Sequence, residues 1–279
     1  MSGFSPDWLA LREPADHAAR NRDVLAALGA AFADREALTI VDLGCGTGSN
    51  LRATAPHLPQ RQHWHMVDHD PALLLAARDR LIAWADSAER SGDGLKLSSG
   101  GCAVTVFFMQ TDLAAGAGAA LGGKPDLVTA AALFDLVSLP WIEEFARRLA
   151  NGRMTFYTAL TYNGLEAWRP PHRADADMLA AFQAHQRRDK GFGPSAGPAA
   201  IDALEKAFLA CGYRVKTGDS PWTLDEADRD LIRELADGVA QAVRQTEQVP
   251  DERISAWLRA RADGASCTIG HTDLLAIPR

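Results

Sequence analysis

Ile40-Val41-Asp42-Leu43-Gly44-Cys45-Gly46-Thr47-Gly48-Ser49-Asn50 decides the fold class of this chain. The apolar stretch from Leu38 to Leu43 reads as a buried strand. It contains one acid, Asp42, and runs into glycines at 44, 46 and 48. A strand that feeds a glycine-rich turn and then a helix lets a ligand meet bare backbone at the helix N-terminus. The glycine spacing discriminates between ligands. Nicotinamide and flavin sites carry G-x-G-x-x-G after the strand. Here the pattern is D-x-G-x-G-x-G, and Ser49 stands where the dinucleotide pattern needs its third glycine. That spacing disfavours an NAD-dependent oxidoreductase.

Working outward, strands and helices alternate. Residues 7–34 show helical spacing at Leu9, Leu11, Val24, Leu25, Leu28 and Phe32, with an interruption at Pro14 and Asp16 as a candidate cap. After the strand at 38–43 comes a helix over 48–56. A second strand, His63 to Val67, closes on Asp68-His69-Asp70-Pro71. Pro71 suits a first helical turn and Asp70 its cap, so the next helix is expected from there to about Ala88. Ser91 to Gly101 reads as a flexible surface loop. Ala103 to Met109, β-branched and aromatic, is the third strand and ends in Gln110-Thr111-Asp112. Gly116 to Lys124 is a second loose loop. Leu127 to Ala131 is strand four, Trp141 to Ala150 a helix, and Met154 to Leu160 strand five. Tyr213 to Thr217 and Ser266 to Ile277 are also strand-like. The expected fold is therefore α/β, a Rossmann-like doubly wound sheet of seven mostly parallel strands with helical insertions. In such sheets ligands bind beyond the carboxyl ends of the strands.

The domain reading is an N-terminal helical cap over 1–35 and a single domain over 36–279. That domain carries a lid insertion at 161–198 and a helical insertion at 221–264, where Leu231, Ile232, Leu235, Val239 and Val243 share one face. A chain of 279 residues with 47 % apolar and 23 % charged residues can bury a full core. No apolar run reaches the length of a membrane span. Met1-Ser2-Gly3-Phe4-Ser5-Pro6-Asp7 lacks both a basic and an apolar leader region, so no signal peptide is expected. Cys45, Cys102, Cys211 and Cys267 are far apart and form no C-x-x-C pair. This fits a reducing cytoplasm and argues against a zinc site, so no metal is expected. The net charge of −7 argues against a DNA partner, because phosphate backbones call for a basic footprint.

The glycine pattern resembles motif I of the class I S-adenosylmethionine (SAM)-dependent methyltransferases, and further motifs follow in that family's order. The resemblance covers roughly residues 36–160 and is to bacterial, small-molecule members. It implies that Asp42 sits near the methionine amino group of SAM and that the Gly44-Cys45-Gly46 backbone cradles the cofactor. Val67-Asp68-His69-Asp70-Pro71 matches the family's second motif. There Asp68 accepts from the ribose hydroxyls and His69 packs beside adenine; the other reading of Asp68 is a helix cap, a role Asp70 fills better. Asp112 is implied at the adenine amino group with the Leu113 backbone beside it, the alternative being an ordinary turn aspartate. Ala131-Ala132-Leu133-Phe134-Asp135-Leu136 matches the fourth motif. Its Ala132 backbone is implied at the methionine portion, with Phe134 and Asp135 facing the methyl group and substrate. The N/D-P-P-Y/F sequence of amino-group methyltransferases of DNA and some proteins is missing here. Arg20 and Arg12 lie in the N-terminal cap, where related enzymes cover the cofactor with a helix, and an arginine there, Arg20 first, is implied to pair with the cofactor carboxylate.

Ala159 to Gly164, which includes Tyr162, and His185 to Pro194, which includes Lys190, also resemble bacterial members and point to the acceptor side. Arg169, Arg173, Arg187, Arg188 and Lys190 make the 161–198 segment basic, as an anionic acceptor would require. A solvated charged face reads equally well. His172 and His185 are candidates for a base or an anchor, or plain surface histidines. His271 and Asp273 alternate on the last strand and are expected to be structural, on the premise that this strand lies at the far side of the sheet. The function expected is SAM-dependent methyl transfer to a small acceptor by in-line displacement. The alternatives are an RNA or protein methyltransferase and a SAM-binding protein without turnover. The catalytic residue, the methylated atom and the oligomeric state are not legible.

Overall fold

Two helices precede the sheet in the computed structural model, which describes residues 4–261 and 264–279. Residues 1–3 of the expected cap and of the leader reading, and 262–263 of the expected helical insertion, lie outside the described residues. Helix α1 (Pro6–Ala19) starts at Ser5, whose hydroxyl accepts from the Trp8 amide at 3.1 Å. Pro14 sits inside α1 without ending it. Asp16 is not the expected cap, because its carboxylate is held by Arg12 one turn earlier, at 2.9 and 3.1 Å. The chain breaks instead at Arg20-Asn21. The Asn21 side chain then caps α2 (Arg22–Ala31), accepting from the Asp23 and Val24 amides.

The elements then run β1 (Ala37–Leu43), α3 (Ser49–Thr54), β2 (Arg61–Asp68) and α4 (Pro71–Trp84). The expected extension of α4 to Ala88 and the expected loop at 91–101 are both replaced by an antiparallel hairpin, β3 (Ser87–Ser91) and β4 (Gly94–Ser99). The hairpin forms because Leu95 and Leu97 alternate inward and are buried, while Gly92 turns at φ +58°. Gly94 leaves no alternative to glycine, since a Cβ there would lie 2.4 Å from the Val106 carbonyl oxygen. β5 (Cys102–Gln110), β6 (Leu127–Ala131) and α5 (Leu139–Gly152) follow. β7 (Thr155–Arg169) runs well past the expected end at Leu160, so the first part of the 161–198 segment is strand. The remaining elements are α6 (Asp175–Gln186), α7 (Ala200–Ala210), β8 (Tyr213–Asp219), β9 (Trp222–Leu224), α8 (Arg229–Arg244), α9 (Asp251–Arg259) and β10 (Ser266–Pro278).

The strand order is β3-β4-β5-β2-β1-β6-β7-β10-β8, with β9 pairing β10. β5, β2, β1, β6 and β7 are mutually parallel, and β10 is antiparallel to both its neighbours. The expected doubly wound sheet is thus present, but it has ten strands rather than seven, the hairpin and β9 making the difference. The order reverses between β1 and β6, which is where such sheets open a crevice. One face buries Leu38, Ile40, Trp64 and Tyr157 under α2, α3 and α4, and the other buries Val41, Leu43, Phe134 and Phe156 under α5 and α7. A third core gathers Trp168, Trp222 and Trp257 with α6, α8 and α9, and Trp8 and Leu11 of α1 pack against it. The last strand lies toward the far side of the sheet but one strand in from its edge. β10 lies between β7 and β8, which brings His271 and Asp273 inward. Among the described residues, no helix is long and apolar enough to cross a membrane.

Candidate active site

Gly44, Gly46 and Gly48 have φ of +63°, +52° and +79°, a run that side chains would strain. The turn is pinned from below. The Gly46 amide donates to Asp68 Oδ2 at 2.9 Å, and the Cys45 amide to the Val67 carbonyl at 2.9 Å. It is flanked from above. A Cβ on Gly46 would lie 3.1 Å from Leu9 Cδ1 of α1, and one on Gly44 3.3 Å from Leu133 Cδ1, beyond β6. His17 Nε2 lies 2.9 Å from Ser49 Oγ, so α1 runs from the glycine turn along the start of α3. Burial, then Asp42 and Asp68, push the Cys45 thiol well up, so it contributes backbone and not thiolate chemistry.

Beneath the turn runs a buried chain of hydrogen bonds. Asn50 Nδ2 donates to Asp42 Oδ1 at 2.7 Å and to Thr129 Oγ1 at 3.1 Å. Thr54 Oγ1 donates to Asn50 Oδ1 at 3.3 Å. The Arg20 guanidinium donates to Thr54 Oγ1 and to the Tyr157 hydroxyl, both at 3.3 Å. Tyr157 donates to Asp273 Oδ2 at 3.4 Å, and Asp273 also accepts from the Asn21 and Leu160 amides at 3.0 and 2.9 Å. Three buried polar atoms in this region have no partner: Asp42 Oδ2, Arg20 Nε and Thr47 Oγ1. Burial pushes the Asp42 carboxyl up to about 7, against the opposing pull of the Asn50 bond and Arg20. At the ends of β6 and β7, Ala132 and Leu160 sit at φ +50° and +58°. Such left-handed non-glycine residues are strained and gather at functional sites.

Asp42, Gly44, Cys45, Gly46, Asp68, Arg20 and Ala132 are therefore brought to one stretch of the carboxyl edge. The others lie farther along it, after β2 and β5. Asp68 is 5 % exposed and also accepts from the Asp70 amide at 3.0 Å. His69 is largely exposed, with Nδ1 3.4 Å from Asp68 Oδ1. Asp112 is exposed and caps its own turn, accepting from the Ala114 amide at 2.8 Å, which is the turn-aspartate alternative. The Leu113 side chain is in the core, and its carbonyl accepts from Trp141 Nε1 at 3.0 Å.

On the acceptor side the structure corrects the expectation for Phe134. Phe134 does not face the substrate. It is 0 % exposed, with its ring centroid 5.1 to 5.9 Å from those of Trp141, Phe145 and Phe156, because the chain beyond Ala132 turns its side chain under the sheet. His185 is turned to Gln245 Oε1 at 3.0 Å and ties the end of α6 to α8. Lys190 lies in the loop after α6 and forms no side-chain hydrogen bond or ion pair among the described residues. No described hydrogen bond joins either residue to Asp135 or Tyr162. Asp135 remains partly exposed, with its carboxyl pushed up to about 6 by burial. Tyr162 is buried and donates to Glu166 Oε1 at 2.8 Å. Sequence reasoning gave no functional role to Asn50, Tyr157 or Trp222. The signal available was a polar residue at the second position of α3 and an acid, Asp273, just before the apolar end of the final strand. Among the described residues, no group of three or more His, Cys, Asp or Glu is arranged to hold a metal ion.

No protein-family model matches the chain, and no curated protein matches it significantly. Solved structures do. A cyclopropane-fatty-acyl-phospholipid synthase-like protein from Lactobacillus casei is similar at TM-score 0.53 and 16 % identity, over 96 % of this chain and 92 % of that one. A cyclopropane synthase from Mycobacterium tuberculosis matches at TM-score 0.49 and 11 % identity, over 98 % and 94 % of the two chains. A SAM-dependent methyltransferase from Thiobacillus denitrificans, in complex with S-adenosylhomocysteine, matches at TM-score 0.46 and 17 % identity over 100 % of both. At these identities the first likeness establishes a shared fold.

Proposed function

We propose that this chain is a SAM-dependent methyltransferase acting on a small-molecule acceptor. One observation carries the reading. The unpartnered Asp42 Oδ2 and the unpartnered Arg20 Nε are buried on the side of the glycine turn, and they are opposite in sign. An α-amino-acid end, ammonium and carboxylate together, is the group that satisfies both. The glycine turn at the β1/β6 crevice and the buried carboxylate closing β2 support the same cofactor, the second through its remaining lone pairs toward ribose hydroxyls. The described residues thus fit SAM.

When bound, SAM supplies a methyl group made electrophilic by its sulfonium. The chain's own contribution is alignment and exclusion of water. Leu9 and His17 hold α1 over the turn, and the left-handed Ala132 presents backbone where the strands open. The free cysteines fit work in a reducing compartment such as the cytoplasm. Calorimetric titration tests the reading. SAM and S-adenosylhomocysteine are expected to bind in the micromolar range and NAD not to bind. Gly46→Val is expected to abolish SAM binding, because its side chain would be driven against Leu9 in a left-handed backbone. Normal binding by that variant, or tight NAD binding by the parent, overturns the proposal.

A further inference from the structure

Four arginines are buried among the described residues: Arg12, Arg20, Arg52 and Arg261. Three of them meet a carboxylate directly. Arg12 grips Asp16 through Nε and Nη2 at 2.9 and 3.1 Å, and Arg52 grips Glu13 through the same edge at 2.8 and 2.7 Å. Arg261 donates to Asp175. Arg20 differs. It is 5 % exposed, and both of its described partners are hydroxyls, Thr54 Oγ1 and the Tyr157 hydroxyl, each 3.3 Å from Nη1. Nη1 carries two hydrogens, and these two bonds take both. The Nε–Nη2 edge is the one that holds the carboxylate in Arg12 and Arg52. In Arg20 it has no hydrogen-bond partner among the described residues, and its Nε is buried.

The two hydroxyls are themselves committed. Thr54 donates to Asn50 Oδ1 at 3.3 Å, and Asn50 Nδ2 donates to Asp42 Oδ1 at 2.7 Å. Tyr157 donates to Asp273 Oδ2 at 3.4 Å. A hydroxyl has a single hydrogen, so both can only accept from Arg20, and the direction of every bond in the chain is set. Burial pushes the Tyr157 hydroxyl up and keeps it protonated. Asp273 stands one side chain away from Arg20 and is also occupied by the Asn21 and Leu160 amides. The guanidinium is therefore fixed in place without a carboxylate on its fork. A cation buried this far is costly unless it is paired, and a planar fork suits a carboxylate held by two bonds. The same chain ends on Asp42, whose Oδ2 is also buried and unpartnered. Asn50 and Thr54 thus set the separation between one free anionic atom and one free cationic edge.

We propose that Thr54 and Tyr157 make the cofactor site selective for an intact α-amino-acid end, by holding the Nε–Nη2 edge of Arg20 for the ligand carboxylate at a fixed separation from Asp42. This rests on the methyltransferase reading and deepens it. Thr54 and Tyr157 are positioning residues and act through Arg20. An adenosyl thioether without the carboxylate leaves the guanidinium buried and unpaired, and the site rejects it for that reason. SAM and S-adenosylhomocysteine are thereby separated from 5′-methylthioadenosine, which has the same nucleoside and sulfur but no amino-acid end.

Calorimetry on the full chain tests this with three ligands: S-adenosylhomocysteine, its decarboxylated analogue, which keeps the ammonium, and 5′-methylthioadenosine. The parent is expected to prefer S-adenosylhomocysteine to either of the others by about a hundred-fold or more. Tyr157→Phe and Thr54→Val are each expected to weaken S-adenosylhomocysteine about ten-fold and to leave the decarboxylated analogue within about two-fold. Thr54→Ser, which keeps the hydroxyl, is expected to recover the preference. Tyr157→Phe removes one atom and decides the matter alone if circular dichroism shows that Thr54→Val does not fold. An equal loss for all three ligands gives the hydroxyls a purely structural role and overturns the proposal. Unchanged S-adenosylhomocysteine affinity in the folded variants does the same. A parent that binds the decarboxylated analogue as tightly as S-adenosylhomocysteine overturns the selectivity and leaves the methyltransferase reading standing. A parent that binds none of these ligands, nor SAM, overturns both.

Discussion

Asp42 shows how a single residue connects burial to ligand and to pH. It is 0 % exposed, and burial raises its carboxyl to about 7. A folded-state value above the unfolded one means that the folded chain holds the proton more tightly. The resulting stabilisation is complete below about pH 4 and is lost as pH rises toward 7. Asp42→Asn is expected to abolish the Asp42 part of that fall, read from urea unfolding at several pH values between 4.5 and 7.5. His271 works in the opposite direction, losing stability as pH drops from its ordinary range toward 3, so the parent–variant difference is the diagnostic quantity. Because the proposed ammonium contact needs the charged carboxylate, SAM affinity should increase from pH 6 to pH 8 in the parent and stay flat in Asp42→Asn. Asp68 makes a separate prediction. It fixes the Gly46 amide and is proposed to hold ribose, so Asp68→Ala is expected to weaken SAM by about 1–3 kcal/mol in calorimetry. An unchanged dissociation constant would mark it as a purely structural clasp.

At the scale of elements, β10 decides most. It enters antiparallel between β7 and β8 and carries Asp273 to a point where α2, β7 and β10 meet. There one carboxylate accepts from the Asn21 amide, the Leu160 amide and the Tyr157 hydroxyl. The first fixes the break between α1 and α2, and the second holds the left-handed Leu160. Asp273→Ala strands all three donors. Unpaired buried donors cost about 1–3 kcal/mol each, so a loss of about 3 kcal/mol or more is expected in the denaturation midpoint. A variant within 1 kcal/mol of the parent would show that water replaces the carboxylate. Because Asn21 and Arg20 position α1, the same variant should also bind SAM more weakly. The hairpin β3–β4 is a contrasting case, an edge addition remote from the glycine turn.

Across the whole molecule, α1 joins parts that the chain order separates. Leu9 meets the glycine turn, while Trp8, Leu11 and Ala15 pack on the core built from α6, α8, α9 and β9. Arg52 is clamped to Glu13 at 2.7 and 2.8 Å from the sheet side. Arg261 closes the insertion core, donating to Asp175 and lying 5.0 Å over Trp257 and 5.4 Å over Trp168. A ligand seated under α1 is therefore expected to couple the core of α6, α8, α9 and β9 to the sheet. SAM at a hundred times its dissociation constant is expected to stabilise the fold by about 2.7 kcal/mol. A Tm rise of several degrees should follow, in one transition shared by tryptophan fluorescence and far-ultraviolet dichroism. NAD at the same concentration should shift nothing. Two separate transitions, with only one moved by SAM, would show that the insertions unfold apart from the sheet.

Read alone, the sequence determined the central parallel strands, the glycine turn and the edge on which ligands gather. These depend on local rules: apolar runs of strand length, an acid and glycines at fixed spacing, and caps such as Asp70. Only the tertiary structure decided what depends on residues distant in the chain. The Leu95–Leu97 alternation was too short to separate a hairpin from a loop without β5 to pair with. Phe134 sits one residue before Asp135, and only the packing of α5 sends the ring inward while Asp135 stays partly exposed. His185 has the right chemistry for an acceptor site, but α8 holds it through Gln245, and among the described residues Lys190 has no hydrogen-bond or ion-pair partner. Arg12, Tyr162, Trp222 and His271 lie far apart in the sequence, yet the guanidinium and the rings pack together. Their meeting follows from β10 being inserted next to β7 and from α1 folding back over β1, and no local periodicity encodes either contact.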